Sequence, residues 1–241
     1  MQNFKKYLLQ EEHNDFWPEQ DIREWATDQG HAVLKKYNVQ SPHEQGQILN
    51  PIITYGKLNC SYVQISSFPE CLPLEEETDL RKFPCQFGHI SRHFFAGDCD
   101  LFSLKGAPTS VEGKFSISGN DNISTLDYFP ESASKYILRG TSIASFHRIN
   151  KIVKKINPST EDYDHFVLPF SNLGDSFLGF LLIPGCNDIG YSPTATTGEL
   201  TKYPKFIKAV NIVGRHLQGD KDVLECQEEL ITNGLRQYAK L

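Results

Sequence analysis

The sequence predicts an α+β protein: a short β-solenoid flanked by an N-terminal helix and a small C-terminal α/β cap. Three observations carry that expectation. The paired apolar positions Phe94/Ala96, Phe115/Ile117 and Tyr136/Leu138 recur at a period of 21 residues. The strings FFAGDCDLFSLKGAP, FSISGNDNISTLDYFP and YILRGTSIASFHRI share one plan: apolar–x–apolar, a polar turn, then apolar–x–x–apolar. Beyond these units the period fades, and helical spacing appears toward both ends. A fixed period of this length marks a solenoid, in which each unit buries its apolar edge only against its neighbours.

In chain order, residues 1–12 form a small amphipathic unit around Phe4, Tyr7 and Leu8, ended by the Trp17-Pro18 break. Residues 22–37 read as a helix, because Ile22, Trp25, Ala26, Val33 and Tyr37 share one face. The Pro- and Gly-containing stretch 41–56 returns the chain to extended structure, closing an N-terminal segment over 1–57. The solenoid is expected over 58–156. KLNCSYVQISSFPECLP supplies a fourth copy with Leu58/Cys60 as its apolar pair, at an irregular distance. Turn residues stand where the plan needs them, at Gly97-Asp98, at 118–121 and at Gly140-Thr141-Ser142. The acidic LEEETD stretch (74–79) reads as a loop out of the solenoid.

Residues 157–241 are expected to form the cap over the open end. FVLPF and FLGFLLIPG are apolar runs of a length that suits buried strands. The helix that follows has Pro204 near its start, Phe206, Ile207, Val210, Val213 and Leu217 on one face, and Gly219 as its stop. Asp222 and Glu225 resemble a capping box opening a last helix, with Val223, Leu230, Ile231 and Leu235 on its face. Asn233-Gly234 is expected to break that helix.

Composition narrows the function. The 241 residues carry 24 Lys plus Arg against 30 Asp plus Glu, a net charge of −6. That balance argues against a general nucleic-acid binder, which needs a basic face. Lys151, Lys154 and Lys155 make a local basic stretch, read as the solvated side of a short connecting helix. No apolar run of membrane-spanning length and no signal-peptide core occurs, so a cytoplasmic protein without a membrane partner is expected. The six cysteines show no metal-ligand spacing and are expected reduced and mostly buried.

The sequence carries no catalytic or cofactor signature. Neither GxGxxG nor GxxxxGK[ST] occurs, and the turn glycines follow the repeat period. His89 and His93 stand four apart near Asp98, a metal-binding spacing on a helix, but the segment reads as a strand. Asp162, Asp164 and His165 form a loop cluster suited to solvation, and no nucleophile is paired with a base. No cofactor, no metal and no enzymatic activity are expected.

The strand face offers a binding surface instead. If Phe94/Ala96, Phe115/Ile117 and Tyr136/Leu138 point inward, the alternate residues point outward. The outer ladder then comprises Asn59, Phe95, Ser116 and Ile137, continued by Gly97, Ser118 and Arg139. Aromatic residues and Arg are the usual anchors of protein interfaces.

LFSLKGAPTSVEGKFSISGND (101–121) follows, almost position by position, the unit of a family of leucine-rich-repeat-like proteins from large tailed bacteriophages of the T4 type. FPCQFGHI, LGFLLIPG and the ending GDKDVLECQEELITNGLRQYAKL resemble other parts of that family, so the likeness covers most of the chain from about Asp21 onward. It implies a leucine-rich-repeat-like solenoid and a phage accessory protein in the cytoplasm of the infected bacterium. Such a protein would bind a host or phage protein through its repeat face and could neutralise a host factor by occlusion. Two alternatives stay open. MQNFKKYLLQEE resembles the capsid-targeting segments of internal head proteins, with Leu9 and Glu11 matching a prohead-protease site; this reading places the protein in the virion interior. An enzyme with its site in 157–241 is the other.

Overall fold

The computed structural model describes Gln20, Phe83 and residues 52–54, 57–65, 86–159, 164–169, 176–191 and 201–241, with only the backbone of 52–65. The helices expected over 1–12 and 22–37 and the acidic loop at 74–79 lie outside the described residues.

The chain winds into a parallel-strand β-solenoid of about four turns. Its main sheet holds β1 (Ile52–Thr54), β2 (Lys57–Ile65), β3 (Gln86–Ala96), β4 (Ser110–Val111), β5 (Lys114–Ser116), β7 (Lys135–Ile137), β9 (Phe166–Leu168) and β10 (Ile189–Tyr191). The order is β1-β2-β3-β5-β7-β9-β10, with β4 beside the first half of β3. Among the described residues only the β1–β2 pair is antiparallel. A second, two-stranded parallel sheet pairs β6 (Ser132–Ala133) with β8 (Lys155–Ile156).

The 21-residue period is the stacking register itself. Phe94 pairs with Phe115, and Phe115 with Tyr136. All six expected inward residues, Phe94, Ala96, Phe115, Ile117, Tyr136 and Leu138, are fully buried. Side chains bridge the same interval: Asn120 accepts the N–H of Cys99 at 3.1 Å, and Gln86 donates to the carbonyl of Ala107 at 2.8 Å. The first turn of each coil places its left-handed residue at Asp98, Gly119 and Gly140, again 21 apart. Gly119 has a φ of +73°, which favours glycine, and the Asp98 carboxylate occupies the space beside it, 1.9 Å from where a Cβ would stand.

An aromatic spine runs down the core. Phe94 stacks on Phe115 at 5.5 Å between centroids, and Tyr136 stacks on Phe166 at 4.7 Å. Phe166 meets Phe180 edge-on at 4.8 Å, and Phe177 continues the line to Phe206 and Tyr238. Each such pair contributes about 0.5–1.5 kcal/mol beyond the area it buries.

The C-terminal region closes the last coil. After the four-residue α1 (Ile149–Ile152) come α2 (Pro204–Gln218) and α3 (Val223–Thr232). Proline opens α2, Gly219 caps it, and Phe206, Val210, Val213 and Leu217 are buried as expected. The Asp222 carboxylate accepts the N–H groups of Leu224 and Glu225 at 2.8 and 3.0 Å, satisfying donors that a helix start leaves unpaired. The helix ends at Asn233-Gly234, where Gly234 has a φ of +74°.

Three expectations need correction. FLGFLLIPG is not a strand: 178–182 form a 3₁₀ turn that buries Leu178, Phe180 and Leu181 together. Ile231 is 43% exposed, and Cys226 takes the buried position on α3 instead. The pair of β2 matching Phe94/Ala96 is Val63/Ile65, not Leu58/Cys60, which register with Phe87 and Ile90. Beyond residue 156, β9 and β10 extend the same sheet in parallel pairing.

Candidate functional site

Register defines the outward row of the main sheet as Phe95, Ser116, Ile137, Val167 and Gly190, with position 64 of β2 aligned beside Phe95. Phe95, Ser116 and Ile137 thus stand side by side on three consecutive strands, as expected from the sequence. Asn59 does not join them: it pairs with Ile52 in the β1–β2 hairpin, toward the other end of β2. The irregular spacing of this copy hid the register, since 31 residues separate Val63 from Phe94 instead of 21. Val167 was missed for the same reason, because the step from Tyr136 to Phe166 is 30 residues.

The row is only partly wet. Phe95 and Ile137 are half-buried, while Ser116 between them and Val167 beyond are 7% and 5% exposed. The short Ser116 side chain lies in the shade of its longer neighbours, and its hydroxyl bonds that of Ser118 at 3.0 Å. Arg139 is exposed two residues beyond Ile137 along the strand direction, on one flank of the row. On the opposite flank, two residues before Ser116 and Ile137, Lys114 and Lys135 are paired in register, and the His93 ring lies 5.7 Å from that of Phe95. The result is an apolar strip with a cation on each flank.

The two histidines with a metal-binding spacing do not converge. His93 Nδ1 accepts the N–H of Lys114 at 3.0 Å, while His89 Nδ1 bonds the Ser110 hydroxyl at 2.9 Å. Four residue steps along β3 separate them by about 13 Å.

Where the sheet reaches β10, Asp164 and His165 meet Asp188, while Asp162 lies outside the described residues. Asp164 folds over Gly190, where a Cβ would collide with its carboxylate at 2.2 Å. Burial and then the nearby Asp188 charge raise its pKa, against the pull of Lys135. Burial lowers that of His165, against the pull of Asp188. His165 Nδ1 accepts the N–H of Asn187 at 3.0 Å, which leaves the neutral ring a donor at Nε2, not a base. Asp188 accepts the N–H of Ile189 at 2.8 Å, and Gln218 reaches its other oxygen at 3.4 Å. These bonds fasten β10 to β9 and α2.

A groove of about 630 Å3 lies between α2 and α3, lined in part by Lys208, Asn211, Arg215 and Glu229. Glu229 accepts hydrogen bonds from both Arg215 and His216, tying α3 to α2. Cys99, Cys186 and Cys226 are buried free thiols, each raised by burial to about 12. Leu9 and Glu11 lie outside the described residues.

Among the described residues no helix is long and apolar enough to cross a membrane. Comparison with protein-family models, curated proteins and solved structures finds no match to this chain.

Proposed function

We propose that this chain is a leucine-rich-repeat-like accessory protein of a large T4-type tailed phage, acting in the cytoplasm of the infected bacterium. It binds a protein of host or phage origin through the outward strand row and acts by occlusion, without a catalytic step. The observation that supports this reading most is the backbone register of Phe95, Ser116 and Ile137, which gathers residues 21 apart into one apolar strip. Arg139 and the paired Lys114 and Lys135 border that strip, a composition suited to a protein interface with acidic edges. The titratable groups near β10 hold elements together, which suits a binding scaffold.

The test is an affinity capture from phage-infected cells, comparing the wild type with a Phe95→Asp/Ile137→Asp variant whose folding is checked by circular dichroism. A specific protein held by the wild type and lost by the folded variant supports the proposal. Equal retention by both proteins, or no specific retention at all, overturns it.

A further inference from the structure

Helices α2 and α3 divide their charges between them. On α2, Lys205, Lys208 and Arg215 are exposed and no acid occurs, whereas α3 holds Glu225, Glu228 and Glu229 and no Lys or Arg. Glu229 is taken up within the chain by Arg215 and His216. The side chains of Lys205, Lys208, Glu225 and Glu228 have no such partner among the described residues. Each pair puts like charges three residues apart on one helix face, an arrangement that destabilises a helix standing alone. The helix dipole does not account for them either. Lys205 stands in the first turn of α2, where an acid is favoured, and α3 has no base in its last turn.

Apolar side chains accompany these charges. Leu224 is 74% exposed and Ile231 43% exposed, and Glu228 stands between them on the same stripe of α3. On α2, Pro204, Ile207, Lys208 and Asn211 line the open groove. A basic helix with a groove and an acidic helix with exposed apolar side chains thus lie on one molecule. A partner of a single charge sign would be attracted to one helix and repelled by the other. A second copy matches both, through a two-fold axis that lays α2 of each copy on α3 of the other. With those two helices antiparallel, Lys205 faces Glu228 of the second copy and Lys208 faces its Glu225. The spacing agrees, because both pairs are three residues, about 4.5 Å, apart along a helix.

We propose that α2 and α3 form a self-complementary surface through which two copies of this chain pair, with Lys205 and Lys208 of one meeting Glu228 and Glu225 of the other. Leu224 and Ile231 of each copy pack along the grooved side of α2 in its partner. The surface is independent of the strand row, because none of these residues lies in the main sheet.

The test is sedimentation velocity of the full chain at about 100 μM and about 0.15 M salt, with circular dichroism of every protein. Wild type, Lys205→Glu/Lys208→Glu, Glu225→Lys/Glu228→Lys and an equal mixture of the two variants are compared. The account expects a dimeric wild type and self-association at least tenfold weaker in each variant alone. The mixture should recover the dimer, since each helix of a mixed pair again meets opposite charge. A Phe95→Asp/Ile137→Asp protein should dimerise unchanged, which separates this surface from the strand row. If a charge-reversed variant loses its helical signal, Leu224→Ser/Ile231→Ser takes its place, with the same tenfold loss expected. A monomeric wild type, folded variants that dimerise as the wild type does, or a mixture of folded variants that stays monomeric overturns the proposal.

Discussion

Replacing Asn120 with alanine strips backbone groups on two successive coils of their partner at once. Its side-chain oxygen accepts the N–H groups of Cys99 and Leu101, and its amide donates to the carbonyls of Ala96 and Ile117, all in a fully buried position. Leaving these backbone groups unsatisfied should cost at least about 3 kcal/mol, measured as a lower urea midpoint. Asp164 gives a pH-dependent prediction. Its folded pKa is raised, so the stability it contributes is complete below about pH 4 and is lost as pH rises through the folded value. Asp164→Asn should therefore melt above the wild type at pH 7, with the gap closing in acid. His165, with a lowered pKa, works the other way: its contribution is present above about pH 6.5 and is lost as pH falls. The thiols of Cys99, Cys186 and Cys226, raised to about 12, should resist iodoacetamide at pH 8 until the chain is unfolded, as read by mass spectrometry.

At the scale of elements, the C-terminal tail is bound back onto the 3₁₀ turn. Ser176 and Phe177 donate to the carbonyls of Gln237 and Tyr238, and the Tyr238 ring stacks on Phe177 at 5.1 Å. Tyr238→Ala should cost about 3 kcal/mol in urea unfolding by opening that stack. The elements also show what a sequence can and cannot reveal. Strict 21-residue spacing exposed the inward residues of β3, β5 and β7, because each coil must superimpose on the next. Helices α2 and α3 were legible from Pro204, Gly219, Asp222 and the apolar face, since each of those residues meets a local backbone need. The segment 178–182 was misread because a short apolar run fits a buried strand or a buried turn equally well. The register of β2 was misplaced because its distance to β3 departs from the period, so only the hydrogen-bonded pairing fixes it.

For the whole molecule, the sheet that begins at the β1–β2 hairpin continues to β10, where α2 is joined to it through the Asp188–Gln218 contact. The stacking that builds the core also lays Phe95, Ser116 and Ile137 side by side, so scaffold and proposed binding face arise from one period. Part of that face was legible in the sequence: alternation placed Phe95, Ser116 and Ile137 outward. Val167 and the paired Lys114 and Lys135 required the register. The most direct test of the central claim is site-specific photo-crosslinking in infected cells, with a benzophenone amino acid placed at Ile137 or, as a control, at Tyr128, 60% exposed outside the main sheet. The account predicts a discrete protein adduct from position 137 and none from 128. An adduct from 128 alone, or none from either position, would contradict it.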